Sequence, residues 1–165
     1  MTPAERSGLK DGWADLVTVG QAVHWFALKT FYEEVKRVGA PKGAIAVWAY
    51  DLFDLEGEAG AVFRRFHARV EPYWPPERAL VAHRYADLPF PFEEIPVPHV
   101  DMTARWDLER TLGYLSTWSA VKAFQKATWE DAIATLAPEL ATAWGSPAAL
   151  RTVTWPLVLR AGRIG

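Results

Sequence analysis

Between Asp15 and Tyr50 the chain reads strand, helix, strand, and this order constrains the fold more than anything else in the sequence. Asp15–Gln21 (DLVTVGQ) is a short β-branched run, and Ala22-Val-His-Trp-Phe26 follows it directly. Leu28, Phe31, Tyr32, Val35 and Val38 then recur at i, i+3, i+4, i+7 and i+10, one apolar stripe on a helix, with Lys29, Glu33, Glu34, Lys36 and Arg37 on the wet side. The spacing predicts that Gly39 closes this helix in a left-handed cap and that Pro41 forbids its continuation. The turn Ala40–Gly43 leads into Ala44–Tyr50, apolar at every position as in a strand covered on both faces. Two parallel strands joined by a crossover helix place Gln21–Phe26 at a carboxyl end, where open α/β sheets bind ligands. No glycine-rich phosphate or cofactor loop occurs anywhere in the 165 residues.

Downstream, Ala59, Val62, Phe63, Phe66 and Val70 mark a helix over about 56–71 that Pro72 ends. Seven of the twelve prolines fall between Pro72 and Pro98, which rules out a long helix or a central strand there. The same stretch carries Tyr73, Trp74, Tyr85, Phe90 and Phe92, so residues 52–98 are expected to form a helical, proline-rich insertion that acts as a lid. In His99–Trp106 the residues Val100, Met102, Ala104 and Trp106 share one face and His99, Asp101, Thr103 and Arg105 the other, the pattern of a half-exposed strand. Asp107 caps a helix with the stripe Leu108, Leu112, Leu115 and Trp118. Thr128 and Asp131 approximate a capping box for a helix facing Ile133, Leu136, Leu140 and Trp144 inward, closed by Gly145. Thr152–Arg160 alternates Val153, Trp155, Leu157 and Leu159 inward, with Pro156 at a bulge or free edge.

A net charge of −2 argues against a nucleic-acid surface or a polybasic membrane contact, and no run reaches membrane-spanning length. Zero cysteines exclude thiol chemistry and suit a cytoplasmic protein, as does a polar N-terminus without a secretory signal. The histidines at 24, 67, 83 and 99 form no ligand pair, so no metal is expected. Asp51, Asp54, Glu56 and Glu58 read as a solvated loop and helix start. His24 is either a satisfied junction residue or, from its place after the strand, a contact to a cofactor or substrate.

Several strings carry a resemblance: Glu5-Arg-Ser-Gly-Leu9, Asp15 through Phe26, Arg37-Val38 through Pro41-Lys42-Gly43, Tyr73-Trp-Pro-Pro-Glu-Arg78, Pro89–Phe92, Gly113–Ala120 and Trp155-Pro-Leu. Over essentially its whole length the chain resembles the C-terminal part of the class I S-adenosylmethionine-dependent methyltransferases, in the trans-aconitate methyltransferase-like branch. The resemblance implies an α/β fold, a Rossmann-like mixed sheet with a helical and proline-rich insertion, in one domain over 1–165. It also implies a chain that begins at the end of the family's third strand, without the glycine-rich loop and the ribose-binding acidic residue. Pro-Lys-Gly stands where the family has Pro-Gly-Gly, and Gly39 replaces an apolar residue, both affecting stability more than chemistry.

By that resemblance Ala4 and Glu5 lie near the adenine, and Gln21, Ala22 and Trp25 near the methionine end of S-adenosylmethionine. His24 becomes a base or orienter, and Phe26, Trp48, Tyr73, Trp74, Arg84 and Trp118 become substrate contacts, with Arg84 or Arg105 holding an acceptor carboxylate, although the pattern reads Arg105 more simply as a surface strand residue. The implied function is methyl transfer to a small-molecule acceptor, with cofactor binding by this chain alone expected to be very weak. The alternative is a non-catalytic remnant or interaction module. Since the neighbouring strand of the complete fold has no counterpart, strand 15–21 is expected to expose an apolar edge that supports homo-oligomers.

Overall fold

The computed structural model describes residues 2–165 and is a mixed α/β structure. Its sheet has the order β1-β2-β5-β3, where β1 is Ala14–Gly20, β2 is Gly39–Tyr50, β3 is Glu93–Ile95 and β5 is Arg151–Arg163; β4, Asp101–Trp106, also pairs with β5. β1 runs parallel to β2, with Val17 opposite Ile45 and Val19 opposite Val47. β5 runs antiparallel to both β2 and β3. The chain divides into two compact units: residues 1–51, 77–101 and 156–165, and residues 52–76 and 102–155.

In the first unit, helix α1 (Leu28–Val38) forms as its stripe predicts and buries Phe31, Tyr32, Val35 and Val38. Phe31, Tyr32 and Val35 join Val19, Ile45, Val47, Ala49 and Val158 in one apolar core. Each large side chain so buried is worth about 1.5–3 kcal/mol. α1 also holds the N-terminal segment: Glu34 Oε1 accepts from the Ser7 amide at 2.8 Å, and Arg37 pairs with both Glu34 and Asp11. The Arg37 and Ser7 hydrogen bonds hold the Glu34 carboxyl down to about 2.

The sheet differs from the sequence reading in coverage. The Ala44–Tyr50 stretch of β2 is apolar throughout, yet only alternate residues are buried: Ile45, Val47 and Ala49 are covered, while Ala44, Ala46, Trp48 and Tyr50 are half-exposed. The pairing register places Leu16, Thr18 and Gly20 of β1 on that same open face, and Leu16 is 57 % exposed.

Gly39 is not a left-handed cap. Its φ of −65° is extended, and it opens β2 because a Cβ there would lie 2.5 Å from Ile164. The left-handed residue is Lys42, at φ 66°, where the resemblance leads one to expect glycine.

The second unit packs α2 (Gly57–Val70), α4 (Leu108–Ser116), α5 (Ser119–Thr128) and α6 (Ala132–Trp144) around aromatic rings; the α3 label belongs to one short turn, Ala79–Ala82, of the first unit. Phe53 lies 4.4 Å from Phe63 and 5.6 Å from Trp155 between ring centroids, and Trp118 touches Phe63, Phe66, Trp74 and Tyr114. Such ring pairs prefer tilted and edge-on geometry and contribute beyond their area. Pro72 does not end the chain's helical course sharply but sits in a 3-10 turn over 71–73.

The helix predicted to run through Trp118 breaks instead. α4 stops at Ser116, and Trp118 is the residue before α5, with its ring buried. Asp131 is itself the cap of α6, accepting from Ile133 and Ala134 amides, rather than the third residue of a box begun by Thr128. On β4 only Trp106 is buried, and Val100 and Met102 are exposed. The alternation on β5 breaks at Pro156: Val153 and Trp155 are buried, then Val158, with Leu157 and Leu159 half-buried. A proline without a ladder donor is where a strand changes phase.

A left-handed conformation costs a residue with a Cβ roughly 1–2 kcal/mol, of which glycine's greater freedom when unfolded returns a part. Lys42→Gly is therefore expected to raise stability by about 1 kcal/mol, read as a higher urea midpoint with unchanged slope. A midpoint that stays or falls would show that Lys42 is not strained.

Candidate functional site

β1 ends at Gly20 because only a glycine fits there: a Cβ would lie 2.8 Å from the indole of Trp48 on β2. Gln21 then turns the chain in a left-handed conformation, φ 53°. It is laced to the end of β2 twice, its amide N–H donating to Trp48 O at 2.9 Å and its side-chain nitrogen to Tyr50 O at 2.8 Å. Val23, fully buried, anchors a single 3-10 turn over Val23–Trp25, and that turn lifts His24 and Trp25 at the carboxyl end of β1. Phe26 closes the segment with its ring 4.9 Å from Phe31.

His24 is half-buried. Its Nδ1 lies 3.0 Å from the Tyr85 hydroxyl, and its ring is 5.0 Å from that of Trp25. Burial lowers its pKa below the usual imidazole value, the nearby Arg78 guanidinium lowers it further, and Glu77 opposes with a smaller upward push. The ring is therefore neutral near pH 7. Arg78 forms an ion pair with Asp51 at the end of β2, the two side chains 18 % and 33 % exposed. Asp51, read from the sequence as part of a solvated cluster, is in fact half-buried and paired.

Tyr85 is wholly buried, and burial, with the Tyr32 phenol nearby, pushes its hydroxyl up to about 12. It reaches His24 from an unusual backbone: Arg84 and Tyr85 are both left-handed, at φ 54° and 55°. Each such residue costs of order 1–3 kcal/mol and persists only where its surroundings impose it. Here the Tyr85 amide donates to Leu80 O at 2.8 Å, and Arg160 of β5 donates to Tyr85 O at 3.0 Å and Leu88 O at 2.8 Å. Arg160 is itself held by Glu94 and by the face of Phe90.

Among the residues singled out from sequence, Gln21, Ala22, His24, Trp25, Phe26 and Trp48 come together at the ends of β1 and β2. Ala4 packs against the core of the same unit, and the Glu5 carboxylate accepts from the Ala27 amide at 3.0 Å, at the start of α1. The side chain of Arg84 is exposed. Tyr73, Trp74 and Trp118 belong to the second unit, where Tyr73 meets Phe124 and Trp74 meets Trp118. Sequence reasoning missed Tyr85, Arg78 and the site role of Asp51. The only signal was the aromatic and charged content of the proline-rich stretch, which says nothing of direction.

The residues assigned to S-adenosylmethionine make an incomplete holder. Glu5 is occupied by a backbone amide, the Gln21 nitrogen by Tyr50 O, and the Trp25 ring stands 56 % exposed. Glu5 is the one carboxylate among them and one of its oxygens is already taken, so these residues by themselves are an incomplete set for the cofactor. What the arrangement does present is a neutral imidazole held at one nitrogen, beside an aromatic ring and a paired guanidinium. No group of acidic, histidine or cysteine side chains with metal-binding geometry occurs among the described residues, and no helix there is long and apolar enough to cross a membrane.

No family model matches the chain. A solved structure of a proposed type II methyltransferase from Anaeromyxobacter dehalogenans is 43% identical, with a TM-score of 0.92 over 99% of this chain and 70% of that one. A proposed methyltransferase of Dictyostelium discoideum is 33% identical over 137 residues, 81% of this chain and 52% of its own length. The chain thus spans about half the length of the curated relative it matches.

Proposed function

The chain belongs to the class I methyltransferases, and on that premise we propose that it serves S-adenosylmethionine-dependent methyl transfer to a small-molecule acceptor in the cytoplasm. The observation that carries this reading is the turn at the end of β1, which gathers Gln21, Ala22, His24 and Trp25 at the carboxyl end of a parallel strand. The acceptor that suits the site best is a carboxylic acid. A carboxylate is ionised at neutral pH and needs no base, and the half-buried, neutral His24 has little driving force to take a proton. The protein's part is to orient the acceptor and exclude water, with Trp25, Phe26 and Trp48 as apolar walls.

The described residues are proposed to bind the cofactor very weakly on their own. Glu5 and Gln21 are committed within the chain, and the sequence contains no glycine-rich turn. Losing several charge-assisted hydrogen bonds at roughly 1.5–3 kcal/mol each takes a micromolar site to millimolar or weaker. Isothermal titration of the 165-residue chain with S-adenosylhomocysteine is expected to give no measurable heat at micromolar concentrations. Low-micromolar binding would overturn the weak-binding proposal.

A second reading, an interaction module without turnover, is favoured by one observation: among the described residues the outer edge of β1 is unpaired, with Trp13 63 % and Leu16 57 % exposed beside it. Such an edge recruits another strand, and a homo-oligomer through β1 is the form proposed. Light scattering after size exclusion should give a mass of at least two chains, lost on Leu16→Lys; a monomer at all concentrations would contradict it.

A further inference from the structure

We infer that Tyr85 is a positioning residue that fixes His24 as the tautomer protonated on Nε2, so that His24 offers a ligand a hydrogen bond rather than a lone pair. The inference rests on the reading that a ligand meets His24. The hydroxyl of a wholly buried tyrosine has one partner among the described residues, His24 Nδ1 at 3.0 Å. A phenol both donates and accepts, so two arrangements are possible in principle. If Nδ1–H donated to the phenol oxygen, the phenolic hydrogen would be left buried without an acceptor, the costly case. If the phenol donates, both groups are satisfied, Nδ1 is the bare nitrogen and a neutral ring carries its proton on Nε2. No described residue takes a hydrogen bond from Nε2.

The backbone supports a dedicated role for Tyr85. Two consecutive left-handed residues, Arg84 and Tyr85, turn its ring inward, and the Arg160 guanidinium fixes the carbonyls on either side of the turn. Strain that surrounding groups impose so specifically is found where a side chain must point in one direction. The charged groups acting on His24 are Arg78, whose charge lowers its pKa, and Glu77, which raises it, with Asp51 paired to Arg78. A donor of this kind matches a carboxylate oxygen, which has lone pairs and no proton to lose. A hydroxyl or ammonium methyl acceptor would have to give up a proton to a base, and a ring that already carries its proton on Nε2 is not one there.

Long-range proton–nitrogen NMR on the histidine-labelled 165-residue chain reads the tautomer directly, with His24 assigned by the signals lost in His24→Gln. Nδ1 is expected to resonate as the unprotonated nitrogen and Nε2 as the protonated one at neutral pH. In Tyr85→Phe the two tautomers mix and the His24 pKa rises, since the phenol no longer favours the neutral ring. A wild-type ring protonated on Nδ1 overturns the proposal, as does a folded Tyr85→Phe protein with unchanged tautomer and titration. If that variant does not fold, the wild-type spectrum alone decides. Citrate, added as a carboxylate probe, is expected to shift the Nε2 resonance. An unshifted resonance overturns the carboxylate-acceptor reading and leaves the tautomer result standing.

Discussion

The parallel pairing of β1 with β2 beneath α1 is the constraint on which the rest of the site depends. It fixes where β1 stops, because Gly20 comes opposite Trp48 and only the absence of a Cβ lets that indole lie across the strand. It fixes where the chain turns, because Gln21 bonds to the Trp48 and Tyr50 carbonyls at the end of β2. Val23 then drops into the core that α1 and β2 share, and His24 is carried to the sheet's carboxyl edge by geometry alone. The energy for this comes from apolar burial on one face of the sheet; the polar contacts choose the direction.

A second, costlier device brings Tyr85 to His24. A pair of left-handed residues does not arise from local preference, so the turn over 83–88 stands only because Arg160 and the carbonyls of Leu80 and Val81 hold it. Arg160 is in turn placed by β5, between β2 and β3, and by Glu94. The candidate site therefore draws on three strands of the first unit, although most of the residues proposed for it lie in six consecutive positions.

The place of those six positions, after β1 and before α1, was legible in the sequence for a physical reason: strand, helix and strand each announce themselves by periodicity. α1 and the closure of α6 by Gly145 were legible on the same grounds. What periodicity does not encode was missed. The open face of β2 is as apolar as the covered one, so composition could not tell them apart. The phase change at Pro156, the break at Thr117 and the strain at Lys42, Arg84 and Tyr85 depend on contacts made far along the chain. Tyr85 lies 61 residues from His24, and nothing local in a proline-rich stretch says that its hydroxyl faces inward.

The proposed ligand site lies at the carboxyl end of β1, within the first unit. Chemical-shift mapping on the nitrogen-labelled chain, with S-adenosylhomocysteine raised to millimolar concentration, tests that placement whatever the affinity. The predicted result is a set of shifts confined to residues 21–26 and to Trp48, Asp51, Arg78 and Tyr85. Shifts centred instead on the aromatic cluster around Phe53 and Trp118 would contradict it.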